Sequence, residues 1–298
     1  YRCPTESEPS RSKRDVFGDA RSERLGSLSV GHLYNLRNSA AYRDRRVVQT
    51  KTRPTKATTI GTRKAPAPEG RPGFVRIDSV HQGDLDGAKG LYHINAVDCV
   101  TQWEVTATVQ TISEAHLLPV IEQMLEQFPF DILGFHADNG SEYVNHRVAA
   151  MLDKLRIEFT RSRPRHSNDN GLAETKNGAV VRKIFGYGHI PQHHAAHFNT
   201  FCVEFLNPFL NFHRPCLFST DVPDPKKPGR IKRTYRPKDA MTPLDKLASL
   251  PDAASFLREG TTLEDLRQRA CALTDLQAAE ELNEARAALF RRVDKRTA

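Results

Sequence analysis

The chain of 298 residues has five cysteines, Cys3, Cys99, Cys202, Cys216 and Cys271, odd in number and scattered without a CxxC pair. That pattern excludes a disulfide framework and a cysteine-based zinc site, and leaves the thiols buried or idle. No apolar run approaches 18 residues, so no membrane span is expected, and no charged, apolar and small-residue leader marks the chain for export. Cytoplasmic residence is the default expectation. The chain opens at Tyr1 rather than Met, from which a fragment lacking its true N-terminus is expected. A phosphate-cradling Gly-x-x-x-x-Gly-Lys-Ser/Thr loop is absent, which agrees with chemistry that needs no ATP.

What the chain does have is positive charge, unevenly placed. The net charge is +8, with 16 Lys+Arg against 7 Asp+Glu in residues 1–72, 12 against 16 in 73–217, and 16 against 13 in 218–298. The whole excess lies outside the central segment. A basic arm and a basic tail around an acidic centre suit a polyanion gripped on both sides of a reacting phosphate. For residues 1–14 alone, a solvated disordered leader is the simpler reading.

Three carboxylates stand out within that acidic centre. Asp78, in GFVRIDSVHQGD, interrupts a β-patterned run; Asp138, in FHADNGSEY, ends another before the turn dipeptide Asn139-Gly140; Glu174, in NDNGLAETKNG, lies early in a helix-like stretch. Between the first two lie 59 residues, and between the last two 35. Any one of them alone is ordinarily solvated or a cap. An aspartate inside the apolar run Phe74, Val75, Ile77, Val80 is costly to bury without a partner or a metal, and the same holds for Asp138 after Ile132, Leu133 and Phe135. Three carboxylates brought together can hold two divalent cations, the arrangement that cuts and joins phosphodiesters.

Spacing, contexts and flanking residues resemble the catalytic core of DDE transposases and retroviral integrases over about residues 70–217. The resemblance implies an α/β, ribonuclease H-like mixed five-stranded sheet flanked by helices, with a small helical N-terminal arm and a basic, partly helical C-terminal tail. It places Asp78 on the central strand and Asp138 on its neighbour, with Glu174 reaching over from a helix. It further implies two Mg²⁺ or Mn²⁺ ions about 3.5–4 Å apart, bridged by Asp78, with Asp138 on one and Glu174 on the other. Such a site first hydrolyses a strand at an element end and then joins the freed 3′-hydroxyl to target DNA. Periodicity by itself supplies the element order: three strands, a helix, a strand, a helix, a strand and a helix from about Asn170 to Phe185.

The flanks divide into residues 1–46, a disordered leader and partial helix-turn-helix arm; 47–72, a linker; 73–217, the core; and 218–298, a basic segment with a helical tail. In the arm, Ser29 is a candidate N-cap, Val30, Leu33 and Leu36 form an apolar stripe, and His32, Asn35 and Arg37 face DNA as a recognition helix does. The mobile loop before Glu174 offers Arg161, Arg163, Arg165 and His166 as phosphate clamps. On the helix itself Lys176, Asn177, Arg182 and Lys183 are expected along the DNA backbone, although a charged face is equally what a solvated surface shows. Asp84, Asp86 and Asp98 take strand-end or loop roles. Glu142 is a turn residue. His193, His194 and His197 share a helix face and lack a matching finger pair, so zinc is set aside. A retroviral-type His-His-Cys-Cys module is absent too, which favours the bacterial insertion-sequence branch, as do Asn211, Arg214 and Pro215 in an Asn-x-x-Arg-Pro segment and the Thr-Pro of MTPLDKL.

KKPGRIKRTYRPK reads as a basic hairpin around Pro228-Gly229. Residues 261–297 read as helices with Leu263, Leu266, Ala270, Leu273, Leu276, Leu282, Ala285 and Leu289 as an apolar stripe that folds back or dimerises. The implied partners are double-stranded DNA, as element ends and target, and further copies of the chain in a homodimer or higher oligomer, with no membrane. The expected setting is the bacterial cytoplasm at the nucleoid. Two other readings stay open: a nuclease of the same fold that cuts without joining, and an inactive DNA-binding remnant of a mobile element. The intact triad argues against the second, and the basic flanks favour joining over simple cleavage.

Overall fold

The computed structural model describes residues 27–45, 60–138, 143–164, 166–223 and 229–294. The chain divides into two compact units, Tyr1–Ala57 and Thr58–Ala298. In the first, helix α1 (Val30–Asn38) is capped by Ser29, whose hydroxyl accepts from the His32 amide at 3.1 Å, and α2 (Ala40–Arg45) follows after a break at Ser39. His32, Asn35 and Arg37 are exposed on α1, and so are Val30, Leu33 and Leu36 of its apolar stripe.

The second unit is built on a six-stranded mixed sheet flanked by helices. Its strands are β1 (Thr62–Arg63), β2 (Phe74–His81), β5 (Tyr92–Asp98), β6 (Glu104–Val109), β7 (Gly134–Ala137) and β8 (Glu158–Arg161), in the order β1-β8-β7-β2-β5-β6. A small separate ribbon, β3 (Asp84–Leu85) with β4 (Ala88–Lys89), decorates the β2–β5 connection. The strands β2, β5 and β6 form the expected antiparallel meander, and β7, β8 and β1 add in parallel. The five-stranded expectation is therefore one strand short. Thr62–Arg63 sits in the stretch read as linker, is two residues long and exposed, and joins β8 through its backbone, so it leaves no hydrophobic period to read.

Register assigns each side chain to a face, because neighbours in a strand alternate. Val75 and Ile77 pack with Ile94, Ala96, Val105 and Ala107 under helices α3 (Glu114–Glu126) and α4 (His146–Lys154). The spacing of Leu117, Ile121, Met124 and Leu125 on α3, and of Val148, Met151 and Leu152 on α4, supplies the other side of that core. The opposite face lies under α5, helical from Gly171 to Phe185 with a π-helical segment at Asn177–Val181, and α6, helical over 195–213. Here Val80, Leu91, Val180, Val181, Phe185 and Phe198 form a second apolar cluster.

The meander is latched at its base by Asp98. Its buried carboxylate accepts from the amides of Gly73, Val100 and Thr101 at 2.8, 3.0 and 2.7 Å and from the Thr101 hydroxyl at 2.8 Å. Gly73, at φ +108°, is where β2 begins, and a Cβ there would run into the Asp131 carbonyl, so glycine is required.

The C-terminal part adds the hairpin β9 (Cys216–Pro223) and β10 (Ile231–Met241), then α7 (Pro243–Ala248), α8 (Leu263–Cys271) and α9 (Asp275–Asp294). The hairpin expected around Pro228-Gly229 forms, with its turn partly outside the described residues. The apolar stripe of the tail folds back: Leu266 joins the core under α3, and Leu282 and Leu289 pack on α6. Among the described residues no helix is long and apolar enough to cross a membrane.

Candidate active site

The face of the sheet under α5 is polar across three cross-strand rows. Pairing of Ile77 with Ala137 on parallel strands brings Asp78 and Asp138, one step further on, side by side on the same face, Asp78 within β2 and Asp138 just past the end of β7. Asn95 and Thr106 continue that row on β5 and β6. The row beneath holds Thr160, His136, Arg76, Val97 and Glu104, and the row above holds Val80, His93 and Thr108. Buried polar groups need partners, and the helices above provide them.

Helix α5 is fastened to β2 beside Asp78. Asn170, just before the helix, donates from Nδ2 to the Ile77 carbonyl at 3.1 Å, and Asn177 donates from Nδ2 to Asp78 Oδ2 at 2.8 Å. Asn177 Oδ1 in turn accepts from Asn95 Nδ2 at 3.2 Å. The other Asp78 oxygen accepts from the Ser79 amide at 2.8 Å. Glu174 stands four residues after Asn170 and three before Asn177, so it shares the helix face that both asparagines turn toward the Asp78 strand. Asp78 is half-buried, while Asp138 and Glu174 are exposed.

All three expected ligands thus lie on one side of the sheet, within β2, just past the carboxyl end of β7 and on the helix crossing them. Among the described residues, however, no three His, Cys, Asp or Glu side chains are gathered closely enough to hold a metal ion. Mutual repulsion of like charges is a sufficient physical reason for carboxylates to stand apart without a cation between them. As donors they fit Mg²⁺ or Mn²⁺: all are hard oxygens, and two are open to solvent.

The side chains expected to meet DNA divide sharply. Lys183 is exposed as a phosphate contact must be. Lys176 is not, because its ammonium is buried 3.3 Å from Glu104 Oε2 and donates to Cys216 Sγ at 3.1 Å. Arg161 is buried within β8. Arg163 makes a bidentate pair with Asp169, Nε to Oδ2 at 2.9 Å and Nη2 to Oδ1 at 2.8 Å, which holds the Asp169 carboxyl well below the usual range and occupies both groups. Arg182 donates to the His81 carbonyl at 3.0 Å and covers Tyr187, bracing the end of α5. Asn177 is turned to Asp78 instead of DNA. Each of these was read from charge or polarity alone, and the period of α5 turns Lys176 and Asn177 to the sheet. Arg165, Asn139, Gly140 and Glu142 lie outside the described residues.

Other supporting residues carried weak signals or none. His136 joins Thr160 at 2.9 Å and Ser162 at 3.3 Å, and burial beside Arg76 pushes its pKa down to about 4. His93 pairs with Thr108 at 2.9 Å, stacks on Phe185, and is pushed by burial and by Arg182 to about 3. Burial pushes the Glu104 carboxyl up, against the pull of Lys176 and Arg214. The free edge of β6 is closed by three asparagines of α6. Asn199, Asn207 and Asn211 each accept from and donate to the backbone of one residue, Thr108, Thr106 and Glu104 in turn, at 2.6–3.1 Å. Asn211, matched to the Asn-x-x-Arg-Pro segment, is thereby structural, as expected.

Residues 70–167 match the protein family described as "Integrase core domain". A protein of Sinorhizobium fredii (strain NBRC 101917 / NGR234) described as "Uncharacterized protein y4rM" is 33% identical over 120 residues, 40% of this chain and 34% of that protein. The match therefore spans about a third of the relative's length. The catalytic core domain of BIV integrase is similar at 17% identity and a TM-score of 0.37, over 48% of this chain and 85% of that one. A chain of the simian T-cell lymphotropic virus intasome in complex with PP2A regulatory subunit B56 gamma is similar at 18% identity and a TM-score of 0.32, over 59% of each chain.

Proposed function

We infer, from a chain that carries an integrase core domain, that this protein is a DDE transposase or integrase acting on the ends of a mobile DNA element and on target DNA. An integrase core is the domain of a polynucleotidyl transferase family, and the finer reading rests on one observation. Asp78, within β2, and Asp138, just past the end of the parallel neighbour β7, lie on one face, under a helix whose Asn170 and Asn177 grip the Asp78 strand on either side of Glu174.

In this reading Asp78, Asp138 and Glu174 would hold two Mg²⁺ or Mn²⁺ ions, whose chemistry when bound would be Lewis-acid assistance to phosphodiester cleavage and joining. Asn177 fixes the rotation of the Asp78 carboxylate. Lys176, paired with Glu104 beneath the helix, sets the turn of α5 that presents Glu174. Lys183 and the basic residues of β10 contact DNA phosphates, as do His32, Asn35 and Arg37 of α1 if that helix enters a groove. Bringing two ends together calls for a dimer or higher assembly on DNA.

A strand-transfer assay on duplexes carrying the element's own ends tests this. Joined product is expected with Mg²⁺ or Mn²⁺, falling at least about 10³-fold in Asp78→Asn, Asp138→Asn and Glu174→Gln. Mn²⁺ should also raise the Tm of the wild type and raise it far less in Asp78→Asn. Cleavage without joining would make the chain a nuclease. DNA binding with neither step, and no metal-dependent Tm shift, would make it a remnant.

A further inference from the structure

Between α5 and the base of the β9–β10 hairpin lies a cleft of about 620 Å³. Arg76, Arg214, Lys176, Leu172 and Tyr235 line it. Its charge is unbalanced. Three cations meet one carboxylate there: Glu104 lies 3.3 Å from Lys176 and is also drawn by Arg214, while neither Arg76 nor Arg214 stands within ion-pair distance of a carboxylate among the described residues. The buried Nε of Arg76 has no hydrogen-bond partner there, and its guanidinium lies near the Cys99 thiol, a weak acceptor. Arg214 makes only a long contact of 3.4 Å to the Ala179 carbonyl.

Position ties this charge to the carboxylates. Arg76 lies two residues before Asp78 on β2, so its side chain leaves the sheet on the Asp78 face, about 7 Å further along. At the mouth of the cleft the Tyr235 ring is 61% exposed on β10, opposite the apolar side chain of Leu172. Nearby on the same strand are Lys232, Arg233 and Lys238, all exposed. Three cations sharing one carboxylate leave a surplus of positive charge, which beside an exposed ring matches what one nucleotide presents: a phosphate and a flat base. A volume of this size suits a single nucleotide and not a stacked base pair. An exposed aromatic ring gains most from a base that has left its own stack.

We propose that this cleft receives one unpaired nucleotide of the DNA strand next to the reacting phosphate, its phosphate on Arg76 and Arg214 and its base against Tyr235. The site rests on the reading that the chain acts on DNA. It adds that the strand is locally opened and that the hairpin grips the displaced nucleotide.

The test uses the full chain and two DNA probes: a blunt hairpin duplex, and the same duplex with a four-nucleotide single-stranded overhang carrying 2-aminopurine at each position in turn. Wild type should bind the overhang probe more tightly and quench one 2-aminopurine position more than the others. Tyr235→Ala should weaken overhang binding about 5- to 100-fold, leave blunt binding unchanged and remove the quench, while Tyr235→Phe keeps both the overhang affinity and the quench. Arg76→Gln should lower the salt slope for the overhang probe by about one. Because Tyr235 is exposed, its variants should melt with the wild type, and they decide the matter should Arg76→Gln fail to fold. Equal losses on both probes, or none on either, would overturn the cleft while leaving DNA binding intact. Failure of wild type to bind either probe would overturn the DNA reading and the cleft together.

Discussion

The two faces of the one sheet are built on opposite principles. Under α3 and α4, Val75, Ile77, Ile94, Ala96, Val105 and Ala107 meet only apolar side chains, and what matters there is shape and area. Under α5 and α6, Asp78, His93, Asn95, Glu104, Thr106 and His136 lie on the sheet, and most are buried. Dispersion and water exclusion hold the first face, and they tolerate exchange of one aliphatic group for another. The second face holds only where each donor finds its acceptor, which makes the covering helix as specific as the strand beneath it. The three expected ligands are on the second face. A carboxylate placed among aliphatic side chains would lack a partner, whereas Asp78 on the second face accepts a hydrogen bond from Asn177 that fixes its orientation.

The sharpest break in this comparison comes from Lys176. Lys176→Met leaves the Glu104 carboxylate buried without its cation and should cost about 3–5 kcal/mol in denaturant unfolding. Adding Glu104→Gln should recover most of that loss. On the other face Ile77→Val should cost only about 0.5–1.5 kcal/mol, with nothing for a second substitution to recover. Equal costs on the two faces, or no recovery in the double variant, would mean the ion pair does not organise its face.

Acid should separate the faces next. The folded chain keeps His93 and His136 neutral, at about 3 and about 4, while the unfolded chain binds protons near 6.5. Each ring therefore contributes stability above pH 6.5 that is lost as pH falls toward those values. Between pH 6.5 and 5 the loss is about 2 kcal/mol per ring. Asp98 and Glu104, whose carboxyls burial pushes up, act in the opposite sense, so the wild-type profile is a sum. His136→Asn, compared with wild type in melts at pH 6.5 and 5, should lose less stability on acidification by about that amount. Parallel profiles would sink the assignment.

The smallest effect belongs to the exposed side of α5. Lys183→Ala should change stability by less than about 0.5 kcal/mol, yet lower the salt slope of DNA binding by about one. Lys176→Met should do the reverse, shifting stability and leaving the slope alone. A changed slope in the second variant would return Lys176 to the DNA surface.

Local chemistry was enough to place most of the elements and to single out Asp78 and Asp138 as candidates. A period of two marks β2, β5 and β6, a period near 3.6 marks α3 and α4, and Asp78 and Asp138 break their apolar runs in a way that needs an explanation. Those are properties of contiguous residues. The two-residue strand β1, held by backbone pairing to β8, has no such signature, because a hydrogen bond between distant backbones leaves no mark on side-chain order. Charge was the least dependable sign. Lys176 and Lys183 are seven residues apart on one helix and look alike as letters, but the first finds Glu104 across 72 residues of chain and the second finds water. Asn177 likewise becomes a support for Asp78 only when α5 crosses β2. By itself, then, the sequence determined the element order, through periodicity, and singled out three acids as candidates, of which Asp78 is half-buried while Asp138 and Glu174 are exposed. The tertiary structure alone decided which cations remain available to DNA and which are spent inside, because pairing depends on distance in space and not along the chain.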